Sequence, residues 1–274
     1  MIGGQVGLLT MVASSQPDAG SGVPELPNFI TLLYHRFQHT GWAPFLHHWE
    51  NIIFSVIIGC LLSWVAYMGT RKKEMIPSGL QNFLELGIEK FRHLIIGVLG
   101  PQGEAYVPFL GTLFIYIFVM NIFGMVPLMK SPSSSLNITA GLAICVFCLV
   151  QYLNIRNMGL FGFLYHLAGS PKNLVGWLLA PLMLSLELIS QVARPITLSL
   201  RLFGNVLGED ILIGAFALMG VVMLSSIQSP VGIPLQIPFM FLALLTSLMQ
   251  ALVFTLLSTV YILLSIPSSE KHSH

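Results

Sequence analysis

The sequence predicts an all-α integral membrane protein. It has about five membrane-crossing helices, one amphipathic interfacial helix, and a long, steeply tilted C-terminal helical hairpin. Three observations carry this. Of 274 residues, 55% are hydrophobic and 8% charged, against about 25% charged in soluble domains. The mean hydropathy is +0.82. From Ile211 to Ser269 there is no Asp, Glu, Lys or Arg, although the apolar segment just before it holds Arg201. Runs this long and apolar form spanning helices, because only internally bonded backbone is stable in hydrocarbon. The composition argues against a soluble α/β enzyme. The formal net charge of +1 and the absence of any basic run longer than Arg71-Lys72-Lys73 give no sign of a nucleic-acid partner.

Residues 1–48 read as an N-terminal extracytoplasmic segment. Met1 to Ala13 is mildly apolar but carries no Lys or Arg, which makes it a poor signal peptide. Residues 14–28 are rich in Ser, Pro and Gly. His35, His39, His47 and His48 follow, with Trp42 and Trp49, a composition suited to a membrane surface. The histidines have no acidic or cysteine partner at metal-ligand spacing, so no metal site and no cofactor are expected. Cys145 and Cys148 form a C-x-x-C spacing, and Cys60 stands alone. All three lie in apolar runs and read as small packing residues.

Residues 49–70 form the first span. The basic triplet directly after it places that end in the cytoplasm and the N-terminus outside. Residues 71–104 hold this basic turn and an amphipathic helix from Ser78 to Leu99. In that helix Phe83, Leu84, Ile88, Phe91 and Ile95 alternate with Glu85, Glu89, Lys90 and Arg92. Such a helix lies in the interface. Residues 105–156 form a hairpin of two spans, Tyr106–Met129 and Leu136–Ile155, with Arg156 ending the second and the tip outside. Residues 157–173 read as a cytoplasmic connector.

Residues 174–266 form the long hairpin. Its first arm, Leu174 to roughly Ile227, would measure about 80 Å as one helix, against about 30 Å of hydrocarbon. It must tilt, break or lie nearly flat, and Pro195 marks the expected bend. Ser229 to Pro234 forms the turn, and Leu235–Ile266 the second arm. Residues 267–274 are a cytoplasmic tail.

The chemistry lies on the first arm. Glu187, Arg194 and Arg201 recur every seven residues and share one stripe with Ser190 and Thr197. Asn205 lies one turn past Arg201 on the same face. Glu209 and Asp210 follow, with Asp210 about half a turn around from Arg201. An intramembrane arginine is expensive and by default faces water, an ion path or a partner. A carboxylate takes and releases protons, whereas a guanidinium stays charged. The arrangement therefore suits proton movement. Antiparallel pairing of the two arms would bring Gln250 near Arg201, its amide oxygen accepting from the guanidinium. Blander roles stay open: Glu187 and Arg194 as a structural ion pair, Glu209 and Asp210 as interface groups, Asn205 and Gln250 as packing amides.

The stretch Pro195-Ile-Thr-Leu-Ser-Leu-Arg-Leu-Phe-Gly-Asn205 closely resembles the signature of the a subunit of the membrane-embedded Fo sector of F-type ATP synthases. Asn121-Ile-Phe-Gly-Met-Val-Pro127 is similar to that family's first hairpin motif, and Leu248-Met-Gln-Ala-Leu-Val-Phe254 to its final-helix motif. Gln81-Asn-Phe-Leu-Glu85 resembles its amphipathic segment. The resemblance covers roughly residues 45 to 266. It implies a proton-translocating stator subunit, not catalytic alone, whose tilted hairpin embraces a rotating ring of c subunits. Two offset half-channels would feed the ring. Other implied partners are the b subunits of the peripheral stalk, the remaining synthase subunits and the lipid bilayer of a bacterial inner (plasma) membrane.

By the same resemblance, Arg201 is the essential cation that separates the half-channels and attracts a ring carboxylate. Glu187 is a half-channel relay, and Asp210 is the preferred relay over Glu209. Asn205 and Gln250 position groups beside Arg201. The chain departs from relatives at Ser135, where many have Asp, and at Ala243, where some have His. A route lined by those groups in relatives must here use other polar groups or water. The absence of a phosphate-binding loop fits a subunit without ATP chemistry of its own. Two competing readings are a self-contained proton-coupled transporter, which predicts a central cavity and discontinuous helices, and a structural scaffold, which would tolerate loss of the Arg201 charge.

Overall fold

A computed structural model describes residues 49–70, 80–126, 129–169, 174–225 and 234–265. The N-terminal segment with its four histidines, the Arg71-Lys72-Lys73 triplet, the expected turn at 229–233 and the C-terminal tail lie outside the described residues.

Among the described residues all regular structure is helical. The elements are α1 (Glu50–Thr70), α2 (Leu80–Leu99), α3 (Val107–Phe123), α4 (Leu136–Leu167), α5 (Leu174–Ser225) and α6 (Ile237–Ser265). Two short 3-10 turns, Pro101–Tyr106 and Pro132–Ser134, precede α3 and α4. Five segments are long and apolar enough to cross a membrane: Glu50–Gly69, Pro101–Phe123, Leu136–Gly159, Leu178–Gly220 and Ile237–Ser265. Large apolar side chains such as Trp64, Leu182, Ile189 and Phe241 are exposed, as expected where lipid or another subunit is the solvent.

Contacts divide the chain into two compact units. The first holds the start of α1 up to Leu62, Ile117–Ser135 and Phe203–Gln250; the second holds Ser63–Tyr116, Leu136–Leu202 and Ala251 onward. Within the second unit, α2 ends where Gly100 adopts φ 72° and Pro101 cannot continue the helix. The chain then doubles back, so that Arg92 pairs with Glu104. Phe91 stacks on Phe114 at 5.2 Å between centroids, which anchors the apolar face of the amphipathic helix. The pair itself is solvent-exposed and contributes little; the ring stack and its burial contribute more.

Within the first unit the hairpin tip is built on close approach. A Cβ at Gly124 would lie 2.6 Å from Ser131 Cβ and 3.1 Å from the Ser131 amide nitrogen. Neither is the loose end of a flexible chain. Gly124→Ala is therefore expected to cost about 1–3 kcal/mol. Gly141→Ala, where an added Cβ meets nothing within 4 Å, should be neutral or slightly stabilising. Thermal unfolding of the purified protein with each variant separates the two.

One expected helix end moves, and the long first arm gains a detail. Helix α4 does not stop at Arg156 but runs to Leu167, interrupted at Gly159 with φ 70° and ψ 165°. A charged side chain need not end a helix, because a long arginine stem can carry its head to water. A glycine in a conformation closed to other residues does break the ladder. The expected connector is thus partly helical. Helix α5 is 52 residues long and helical through both Pro181 and Pro195. Each proline removes one backbone bond, and the turns around it hold, as membrane helices tolerate. Thr197 Oγ1 donates to the carbonyls of Ala193 and Arg194 at 2.9 and 3.0 Å, so its hydroxyl is satisfied within the helix.

Candidate proton-conducting site

The seven-residue stripe on α5 survives in the structure. Arg201 is exposed, Arg194 and Glu187 are partly buried, and Ser190 and Thr197 are exposed. Among the described residues Arg194 forms no ion pair with Glu187. Its guanidinium instead lies over the Tyr261 ring of α6, 5.2 Å from the centroid. This replaces the structural-pair reading with a cation–π contact inside the second unit. The physical reason is length: seven residues of helix rise about 10 Å, more than the two side chains close easily.

Beside Arg194 in the same unit, Gln151 Nε2 of α4 donates to Gln191 Oε1 of α5 at 2.7 Å. Gln151 Oε1 is buried without a partner. A cavity of about 30 Å³, walled by Val146, Val150 and Leu198 as well as Gln151, Gln191 and Arg194, has room for one or two waters. Sequence reasoning missed this amide pair; the available signal was two uncharged amides inside apolar runs. Arg194→Ala should lower thermal stability by about 0.5–2 kcal/mol. Tyr261→Phe keeps the ring and should change it little, whereas Tyr261→Leu should match the arginine loss.

In the first unit, Asn205 Nδ2 donates to Gln250 Oε1 at 2.7 Å. Gln250 is 4% exposed, and its Nε2 has no partner. The acceptor expected to hold the Arg201 guanidinium is thus engaged by Asn205. One turn further along α5, the Glu209 carboxyl lies beside the hydroxyls of Thr246 and Ser247 on α6. Asp210 is half-buried. Thr246 Oγ1 also donates to the carbonyls of Leu242 and Ala243.

The hairpin tip of the same unit holds a second polar chain that the sequence reading did not assemble. Ser133 Oγ donates to Asn121 Oδ1 at 2.6 Å, and Ser131 Oγ donates to the Met120 carbonyl at 3.0 Å. The two hydroxyls are 2.8 Å apart. All three residues are buried.

Five helices long and apolar enough to span a bilayer define a multi-pass helical membrane protein. Comparison with known proteins gives the family. Residues 52–263 match the ATP synthase A chain family. The chain is 74% identical over 265 residues to ATP synthase subunit a of Protochlamydia amoebophila, covering 97% of each chain. It is 34% identical over 227 residues to ATP synthase subunit a 2 of Syntrophotalea carbinolica, covering 82% of this chain and 86% of that one. It is 36% identical over 227 residues to ATP synthase subunit a of Solidesulfovibrio magneticus, with the same coverage.

The chain belongs to the ATP synthase A chain family. Its function is that of the proton-conducting stator subunit of the membrane sector, non-catalytic by itself and part of the ATP synthase complex.

Proposed function

We propose that Arg201 is the cation that keeps two half-channels apart and draws the ionised carboxylate of a rotating c-subunit ring. Glu187 serves as a half-channel relay, and Asp210 as a relay preferred over Glu209. Asn205 and Gln250 position the polar groups next to Arg201 on α5. The observation that carries this is an exposed guanidinium on a span-forming helix. Such a group is too costly to leave facing lipid and needs a partner outside this chain. One charge crossing 100 mV is worth about 2.3 kcal/mol, so several protons are needed for each ATP made on partner subunits.

The same reading assigns the b subunits of the peripheral stalk as static partners. It sets the N-terminus outside, the C-terminus in the cytoplasm, and the protein in a bacterial inner membrane. The basic triplet after α1 supports that orientation.

The partner assignment is tested by affinity purification of the tagged chain from native membranes in mild detergent. A small, very hydrophobic, ring-forming subunit with one mid-helix carboxylate is expected to co-purify. Recovery of the chain alone as a functional proton-coupled carrier of a solute would instead favour the transporter reading.

A further inference from the structure

We propose that the end of α4 around Arg156 binds an anionic phospholipid, with the phosphate on Arg156 and an acyl chain along the outward face of the helix. This goes beyond proton conduction and rests only on α4 crossing a membrane.

Within the second unit α4 has two distinct faces. Ala143, Val146, Val150 and Leu153 are buried, at the three- and four-residue spacing of a packed helix face. Ile144, Cys148, Tyr152, Ile155 and Arg156 are exposed on the other side. From Ile144 to Ile155 that face rises about 17 Å, which matches the hydrocarbon of one leaflet at about 15 Å. It has the length to carry one acyl chain, and it ends in a charge.

The level of that charge is set by a neighbouring helix. Asn157 Nδ2 donates to the Ser265 carbonyl at 3.0 Å, and Ser265 closes α6. The apolar segments of the two helices end at Gly159 and Ser265. Two span ends tied side by side mark the edge of the hydrocarbon, so Arg156, next to the tie, stands at headgroup depth. Tyr152, one turn inside Arg156, is 57% exposed. Tyrosine suits this depth, with its ring among the acyl chains and its hydroxyl among the headgroups.

Charge points to the ligand. Arg156 forms no ion pair among the described residues. Neither α4 nor α6 contains Asp or Glu, and none occurs from Ala105 to Leu186. A phosphodiester supplies the missing negative charge, and a planar guanidinium holds two of its oxygens at once. A zwitterionic lipid carries the same phosphate but brings its own cation, so a net-negative headgroup is preferred. Basic groups at the end of a span attract anionic lipid for this reason. In the orientation proposed above, the site opens to the cytoplasmic leaflet.

The test uses the complete synthase in mild detergent, with subunit composition checked in each preparation. The probe is phosphatidylglycerol carrying a photoreactive acyl chain, and phosphatidylcholine with the same chain is the control. After irradiation, labelled positions on this chain are mapped by mass spectrometry. Phosphatidylglycerol label is expected on residues 141–155, about fivefold above the phosphatidylcholine label. Unlabelled phosphatidylglycerol should displace it at about fivefold lower concentration than phosphatidylcholine does. Arg156→Gln should reduce the label to the phosphatidylcholine level. Arg156→Lys should keep part of it, since the charge remains and the fork is lost. Equal labelling by the two lipids, or a phosphatidylglycerol label unchanged in Arg156→Gln, overturns the proposal and leaves an ordinary lipid-facing helix. Label on a neighbouring subunit with none on α4 also overturns it, because another protein then covers the face. Should Arg156→Gln fail to assemble, the displacement of label from the wild-type complex decides: preference for the anionic lipid supports the site, and equal displacement overturns it.

Discussion

Arg201→Ala is expected to abolish ATP-driven proton pumping in inverted vesicles while the synthase still assembles. Both halves of that outcome follow from the setting of the side chain. An arginine at the centre of a spanning helix costs about 2.5–3.5 kcal/mol on insertion scales. The guanidinium is exposed on α5, and no ion pair to it is found among the described residues. Its removal therefore relieves an electrostatic cost in this chain and should not unfold it. What is lost is the fixed charge that meets a ring carboxylate and denies protons a direct path. Arg201→Lys is expected to recover little, because an ammonium lacks the planar fork that binds a carboxylate at two points. Full pumping by Arg201→Ala with a normal subunit composition would sink this mechanism and return the transporter and scaffold readings to the front.

The sequence was explicit about what one helix can encode. Apolar run lengths located five spans, and the seven-residue recurrence of Glu187, Arg194 and Arg201 gave a polar stripe that the long helix α5 retains. Helix ends were less legible. Arg156 read as a stop, yet the ladder breaks at Gly159, where backbone conformation decides and charge does not. Side-chain partners between distant helices were less legible. Arg194 faces Tyr261 across 67 positions of sequence and not Glu187 across seven, because a face is set by periodicity while a partner is set by how helices meet. The same limit hid the Gln151–Gln191 bond and the Ser131, Ser133 and Asn121 cluster. It also redirected Gln250: the antiparallel pairing of the two arms was foreseen, but its amide oxygen accepts from Asn205, one turn past the arginine. Glu209 was ranked below Asp210 because family position favoured Asp210.

The Asn205–Gln250 bond yields the second large effect, and stability and flux should respond to it differently. Gln250 is buried with Nε2 already unpartnered. Asn205→Leu takes away the donor that satisfies Oε1, which leaves both ends of a buried amide unbonded. Thermal stability of the purified complex should fall by about 1–3 kcal/mol. Gln250→Leu strands the Asn205 amide and should cost less, because Asn205 is more exposed. Replacing both by Leu removes donor and acceptor together, and such paired replacement is close to neutral. The double variant should therefore regain most of the stability lost by Asn205→Leu. Proton pumping should not recover with it, and a drop of about a hundredfold is expected in all three variants if these amides position groups on the proton path. A double variant that regains pumping along with stability would show that the pair only holds α5 and α6 together, and the path would then have to run elsewhere. Restored stability with lost pumping separates packing from conduction in one experiment, because an apolar pair can fill the space but cannot orient water or a proton.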